Sequence, residues 1–524
     1  MVSNDKIWIG QAGSEKVFIY PSMANRHGMI AGATGTGKTV TLKVMAESFS
    51  DLGVPVFLAD IKGDLSGMVA NGAPTKTVSA KIEELSLDKE GFEYTSYPTT
   101  FWDVYGEMGI PLRATISEMG PLLLARILDL NDIQTDILSV IFKIADDENL
   151  LLVDTKDLRS MISYVSENSK EFSLTYGNMS KQSLAAIIRA IISLESQGGD
   201  LFFGEPALNV QDWFQAVGGK GMINILECEK LFNNPTMYST FLLWMLSELF
   251  EVLPEAGDLD KPKMVFFFDE AHILFDNASK ELLEKIEQVV KLIRSKGVGV
   301  YFITQNPKDI PDGVLAQLGN KVQHALRAYT PAEQKGVKTA ADSFRPNPEF
   351  DTYEAITSLG IGEALVSVLD EDGVPTIVQK TAILPPQSQM GPIDQSLRSE
   401  EIRYSKLYMK YADPIDDESA HEFLQRKAIA EAEEEAAAKE EEAARKLAEK
   451  EAAAAKKAEE KEAAARQKQI KRATKSVASS AAGTIGREIG NTLGKSVGGS
   501  FGKKLGGNVG ASLARNIIGT LFKL

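Results

Sequence analysis

The sequence predicts an α/β fold, and three observations carry that prediction. Short apolar runs rich in branched and aromatic residues recur through residues 1 to 395. They alternate with amphipathic helical stretches, the pattern of strands covered by helices. One run leads directly into Gly32-Ala33-Thr34-Gly35-Thr36-Gly37-Lys38-Thr39, and an amphipathic stretch follows it, so a glycine-rich turn joins strand to helix.

In chain order the strand candidates are "GMIAG" (28–32), "VPVFLAD" (54–60), "GMINILE" (221–227), "MVFFFDE" (264–270) and "VGVYFIT" (298–304). Between about 112 and 198 the pattern turns helical ("GPLLLARILDL", "SLAAIIRAIISLE"), which predicts a helical insertion. "EALVSVLDEDGVPTIVQKTAIL" (363–384) reads as a hairpin turning at Asp372-Gly373, and "ILPPQSQMGP" closes the first domain, residues 1–395. Residues 396–466 form the second segment, with one long helix expected from 398. Its later half is Glu, Ala, Lys and Arg, with favourable i,i+4 pairs at Glu435/Lys439, Glu441/Arg445 and Glu442/Lys446. That is the composition of a solvated spacer, and no apolar seam marks a coiled coil. The third segment, 467–524, is basic. Gly486, Gly490, Gly494, Gly498, Gly502, Gly506 and Gly510 recur every four residues, each preceded by an apolar residue. Each interior glycine costs a helix about 1 kcal/mol against alanine, so the period points to a close-packing interaction helix or a membrane-surface segment.

Net charge is −16, unevenly spread: residues 467–524 carry +9, residues 427–466 carry −3, and the remainder is about −22 by difference. An acidic body argues against a broad nucleic-acid-binding face. The single cysteine, Cys228, excludes an internal disulfide and points to a reducing, cytoplasmic setting. The N-terminal stretch does not read as a secretory signal. No uninterrupted apolar run is long enough to mark a transmembrane helix.

Residues Gly32 to Thr39 fit G-x-x-x-x-G-K-[ST]. In that pattern the backbone N–H groups of Gly35 to Thr39 face phosphates at a helix N-terminus, Lys38 neutralises the β and γ oxygens, and the Thr39 hydroxyl ligates Mg²⁺. "MVFFFDEAH" ends an apolar strand in Asp269-Glu270. Asp269 suits a Mg²⁺ ligand acting through water, and Glu270 suits the group that orients or deprotonates the attacking water. Together they predict hydrolysis of ATP as substrate with Mg²⁺ as cofactor. Gln305, after "VGVYFIT", stands where a γ-phosphate sensor would. Asp60 ends the next strand, and Arg26 precedes the first. Arg294 is the first candidate for an arginine acting on a neighbouring subunit's site, and Arg327 the second. His272 completes D-E-A-H, yet no Q-x-x-G-R-x-G-R follows, so His272 is expected to pack behind its strand. No His/Cys cluster has zinc spacing.

"NRHGMIAGATGTGKT", "FLADIKGDLSG", "MVFFFDEAH" and "GVGVYFITQNP", in this order, resemble the HerA/FtsK group of ATPases. The whole chain, with its helical insertion and glycine-repeat tail, is most similar to bacterial YjgR-type HerA-like proteins. The resemblance implies a RecA-like P-loop core, homo-hexameric rings and ATP-driven movement of DNA through the channel. It further implies Lys38 and Thr39 on phosphate and Mg²⁺, Asp269 and Glu270 as the acidic pair, Gln305 as sensor, Arg294 in trans, and Arg26 and Asp60 near the nucleotide. It departs at the start: HerA-type proteins have an N-terminal β-barrel, and here only the stretch from Met1 to His27 precedes the first core strand. Three functions follow. The first is a DNA translocase or helicase. The others are a ring ATPase held to protein or inner-membrane partners by its tail, and a nucleotide-gated scaffold.

Overall fold

The computed structural model describes residues 1–276, 280–416 and 418–477, with the side chains of residues 281, 282, 285 and 471–477 excepted. The glycine-repeat tail lies outside the described residues from 478 onward. The chain divides into two units, Met1–Ala430 and Glu431–Leu524.

The first unit is built on one mixed sheet. Its principal strands are β1 (Lys6–Ala12), β2 (Glu15–Ile19), β3 (Gly28–Ala31), β4 (Val56–Asp60), β5 (Thr99–Asp103), β6 (Ile223–Glu227), β7 (Met264–Phe268), β8 (Val298–Thr304), β9 (Asn320–Gln323), β10 (Glu363–Ser367) and β11 (Gln379–Ile383). The principal helices are α1 (Lys38–Asp51), α2 (Ile116–Ile127), α3 (Asp132–Asp147), α4 (Thr155–Glu167), α5 (Lys181–Glu195), α6 (Pro235–Val252), α7 (Lys280–Ile293), α8 (Pro331–Asp342), α9 (Gln395–Tyr404) and α10 (Ala420–Val477).

Across the sheet the strands run β1-β11-β10-β9-β3-β8-β7-β4-β6-β5, with β2 paired to β1. From β9 to β5 every neighbour is parallel, and from β9 back to β2 every neighbour is antiparallel. The parallel strands are buried on both faces: all five residues of β7 and all seven of β8 are buried. Burial on both faces is why those segments read as unbroken apolar runs. One face packs against α1, the other against α6 and the helices between 116 and 202. Capping boxes at Thr115/Glu118 and Asn131/Gln134 start α2 and α3.

Sequence reading missed β1, β2, β5 and β9. β1 and β2 form a two-stranded hairpin turned at Gly13, where φ is +61°. β5 ("TTFWD") is too short and too polar to register as an apolar run. The expected helix from 398 is also corrected. It breaks after Tyr404, where Ser405 is extended, makes one short turn over Tyr408–Tyr411 and resumes at Ala420. Pro414, which disfavours helical geometry in Asp413 and offers no N–H, keeps that short turn from running on into the long helix. Ile415 instead donates its N–H to Glu205 O (2.9 Å). The long helix is thus α10, whose root residues Ala420 and Leu424 join the core. In the second unit, Lys439 pairs with Glu435 and Lys446 with Glu442, while Arg445 pairs with Glu449 rather than Glu441.

The segment "LPPQSQMGP" packs on α1. The buried Glu47 carboxylate accepts from Gln387 N, Ser388 N and Ser388 Oγ at 2.8, 3.1 and 2.5 Å. Lys43 donates to Gln389 O at 2.5 Å. The helix that follows the glycine loop is therefore anchored on its far side by buried charged groups hydrogen-bonded inside the fold.

Candidate functional site

The parallel strands β3, β8 and β7 all end at one edge of the sheet, where open α/β sheets form crevices. Insertion of β8 between β3 and β7 brings the loops after Ala31, Thr304 and Phe268 together. A cleft of about 260 Å³ opens there, lined by Thr34, Gly35, Gly37, Lys38, Thr39, Lys62, Asp64, Asp269 and Glu270 among others.

The glycine loop leaves β3 and reaches α1 through left-handed backbone at Gly35 (φ +77°) and Gly37 (φ +113°). Only glycine takes those angles without strain. Gly37 caps α1, and Lys38 and Thr39 form its first turn, so unpaired N–H groups and the positive end of a 14-residue helix face the cleft. The Lys38 ammonium donates to Gly32 O (2.6 Å) and Ala33 O (3.2 Å). Burial lowers its pKa, opposed by the nearby Glu270 and Asp269 carboxylates.

On the opposite wall stand Asp269 and Glu270. Burial, and then the neighbouring Glu270 charge, push the Asp269 carboxyl up to about 6. Asp269 accepts from Glu270 N at 2.9 Å. Glu270 sits in a left-handed conformation (φ +47°), strain of order 1 kcal/mol that directs its carboxylate across the cleft. There it accepts from Gln305 Nε2 at 3.3 and 3.4 Å. Thr39 and Asp269 offer one hydroxyl and one carboxylate to the same cleft. Such a hard-oxygen pair suits Mg²⁺, which takes few protein ligands and completes its shell with phosphate and water. The desolvated Asp269 carboxyl fits a neighbouring cation, which favours its ionised form. Among the described residues no group of three His, Cys, Asp or Glu side chains forms a dedicated metal cage.

The glycine loop, Lys38, Thr39, Asp269, Glu270 and Gln305 are thus brought together; Asp60, Arg26 and Arg294 are not. The Asp60 carboxyl turns into its own loop, accepting from Lys62 N, Gly63 N and Leu65 N (3.3, 2.8 and 2.9 Å). It is Lys62 and Asp64, held by that loop, that line the cleft. Burial, with Asp64 and Glu227 nearby, raises Asp60 to about 7. Arg26 lies at the other end of β3, against Gly373 of the hairpin turn, roughly a four-residue strand or ~13 Å from the cleft edge. Arg294 is exposed at the entry to β8, seven residues and roughly 20 Å from the exit. It is close enough to Arg26 for the two charges to repel, though burial is the larger cause of its lowered pKa. Arg327 donates to Thr357 O and Leu359 O of its own chain.

One histidine stands differently from expectation, and a second is brought to the site from a distant part of the chain. His272 is not behind its strand: its ring is 32% exposed and Nδ1 lies 3.6 Å from Glu270 Oε2. Its position follows from the tight turn after Glu270, which starts a short helix at His272 itself. His324, at the end of β9, is completely buried and braces the glycine loop. Its Nδ1–H donates to Glu363 O (2.9 Å) and its Nε2 accepts from Thr41 Oγ1 (2.8 Å). Burial depresses its pKa to about 4. Gly32 packs so closely that a Cβ there would stand 2.5 Å from His324 Cβ. No local signal marks His324, which lies far along the chain from Gly32. Lys62 had one, since it follows Asp60 in "FLADIKGDLSG".

A family model described as "Helicase HerA-like C-terminal" matches residues 6–506. The chain is 31% identical over 170 residues to a probable helicase of Methanocaldococcus jannaschii, MJECL08, covering 29% of this chain and 31% of that protein. It is 23% identical over 351 residues to the DNA double-strand break repair helicase HerA of Saccharolobus solfataricus, covering 65% and 61% respectively. The chain therefore spans about a third to three fifths of the length of these curated relatives. Among solved structures, VirB4 of Thermoanaerobacter pseudethanolicus aligns over 73% of this chain and 97% of that chain, at 15% identity and a TM-score of 0.48.

Proposed function

The chain belongs to the helicase HerA-like C-terminal family, and from that premise we propose that it is a Mg²⁺-dependent ATPase with a RecA-like core, working as a homo-hexameric ring that translocates or unwinds DNA. The observation that carries the ATPase reading is the convergence in one cleft of a helix N-terminus, the Lys38 ammonium and the Asp269-Glu270 pair, with Gln305 bonded to Glu270. The relatives' names, which include a DNA double-strand break repair helicase, support DNA as the substrate.

In this reading the N–H groups of Gly35 to Thr39 hold the phosphates. Lys38 exchanges its carbonyl partners Gly32 and Ala33 for phosphate oxygens. Thr39 and Asp269 would hold Mg²⁺, which supplies charge neutralisation on the phosphate oxygens when bound. Glu270, oriented by Gln305, takes the proton of the attacking water. Arg294 cannot reach its own chain's cleft, and that favours action on a neighbouring subunit. Arg26, beside it, joins the same edge rather than the nucleotide of its own chain. Among the described residues no helix is long and apolar enough to cross a membrane.

The test is ATP turnover at low salt with and without single- and double-stranded DNA, for the wild-type chain, Lys38→Ala and Glu270→Gln. DNA should raise turnover, and both variants should lose it. Turnover without any DNA stimulation or binding would refute the translocase and keep the ATPase. No Mg²⁺-dependent turnover at all would refute both.

A further inference from the structure

We infer that Ile361 is the platform for the nucleoside base, and that the site holds the base by apolar contact rather than by hydrogen-bonded readout. This rests on the nucleotide reading of the cleft.

Sheet order orients the ligand. The acids and Gln305 end β7 and β8, which lie on one side of β3. The reacting end of a triphosphate on the glycine loop is drawn to that side, toward Glu270. The nucleoside must then leave over the other side of β3, where β9 and β10 stand. β10 is antiparallel to β9, so its start, at Glu363, lies at the cleft edge. The segment leading into it is Leu359-Gly360-Ile361-Gly362.

That segment is held from every direction. Arg327 donates to Thr357 O and Leu359 O. Gly360 N donates to Glu363 Oε2 at 2.8 Å. Gly362, with φ +75°, donates its N–H to Thr36 O of the glycine loop at 3.1 Å. Ile383 N donates to Gly362 O at 2.9 Å. The Arg327 guanidinium and the N–H groups of Gly360 and Gly362 are therefore all engaged within the fold. Ile361 alone projects. It is 83% exposed, flanked by glycines, and lines the cleft beside Gly35, Gly37, Thr39 and Val40. A single exposed isoleucine is ordinary on a surface. One fixed in place on the nucleoside side of a phosphate loop offers a preorganised aliphatic face to a flat ring.

Two consequences follow. Adenine and guanine should be accepted alike, because an aliphatic side chain meets the flat face of either ring without reading its edge. Loss of the side chain should weaken nucleotides without touching phosphate binding.

The experiment measures binding of ATP, GTP and inorganic tripolyphosphate to the full chain by calorimetry with Mg²⁺, for wild type, Ile361→Ala and Ile361→Asn. Wild type should bind ATP and GTP within a few-fold of each other. Ile361→Ala should weaken both nucleotides by about tenfold, from loss of roughly 50 Å² of apolar contact. Ile361→Asn should weaken them at least as much. Tripolyphosphate should be unchanged throughout. Equal loss of tripolyphosphate, unchanged nucleotide binding, or a wild-type purine preference above about a hundredfold would each overturn the inference. Absence of tripolyphosphate and nucleotide binding in wild type would instead overturn the nucleotide site itself. Unchanged thermal melts of both variants, expected for so exposed a side chain, separate a local effect from misfolding.

Discussion

Substitution of Gly32 by alanine tests how the glycine loop is braced. The new Cβ would stand 2.5 Å from His324 Cβ and 3.0 Å from Thr36 Oγ1, at φ +154°. Carbon pairs rest at about 3.5–4.0 Å, so loop and β9 must separate by about 1 Å. His324 cannot retreat: it is fully buried and bonded on both ring nitrogens, to Thr41 and Glu363. Overpacking of this kind costs about 1–3 kcal/mol, and the unfavourable φ adds about 1 kcal/mol. The sum, about 2–4 kcal/mol, should appear as a lower guanidinium midpoint. A displacement of about 1 Å in the N–H groups from Gly35 to Thr39 should also lower ATP turnover about a hundredfold. The second substitution, His324→Gly, removes the opposing Cβ. In that background Gly32→Ala keeps the backbone part, about 1 kcal/mol, and the close contact with Thr36 Oγ1 at 3.0 Å, and should cost less than in the wild type. The assay is a double-mutant cycle on the denaturation midpoint without nucleotide, paired with turnover. If Gly32→Ala costs the same in both backgrounds to within about 0.5 kcal/mol, the contact with His324 is not what requires glycine.

Four further outcomes are expected. Glu270→Gln should cut turnover by about 10²–10⁴-fold with ATP affinity nearly unchanged, measured by steady-state kinetics and calorimetry. Lys38→Ala should abolish measurable ATP binding in the same calorimetric titration. Arg398→Met should destabilise the fold by about 3–5 kcal/mol in chemical denaturation. It strands Glu227, which Arg398 Nη2 meets at 2.6 Å, the two side chains being 7% and 6% exposed, and adding Glu227→Gln should recover part of the loss. Asp60→Asn gives a pH test. The folded carboxyl titrates at about 7 and the unfolded one at about 3.9, so folding takes up a proton between those values. Through this group the wild type gains stability as pH falls from 7 toward 4, by up to about 4 kcal/mol. The melting temperature of wild type minus Asp60→Asn should therefore rise steadily from pH 8 to pH 4.5, and a pH-independent difference would contradict it.

How much of this could be read from the sequence depended on where each residue's partners lie. β3, β4, β6, β7 and β8 were legible because strands buried on both faces must be apolar throughout. β5 and β9 were not, because each is short and carries polar residues: Asn320 and Gln323 in β9 are buried yet polar. Asp60 looked like a ligand because it ends a strand beside the cleft. Three backbone donors from the loop that follows turn its carboxyl away, a local geometry that letters do not display. His272 looked like packing, and the left-handed turn at Glu270 brings it to the rim instead.

The sequence alone determined the chemistry available: a glycine loop that can turn where other residues cannot, an ammonium and a hydroxyl on the first turn of a helix, two acids at a strand end, and an amide at another. Each is local, set by spacing within a few residues, so the order of letters suffices. Which of these groups meet was decided only by tertiary structure. Strands from opposite halves of the chain pair in the order β3-β8-β7, so that Gln305 touches Glu270. The same pairing sends Arg26 and Arg294 to the opposite edge, and the pairing of β9 and β10 on the other side of β3 sets His324 and Ile361 against the loop. That choice belongs to inter-strand hydrogen bonding and the burial of two sheet faces, which act across the whole chain and leave no mark in any short stretch of it.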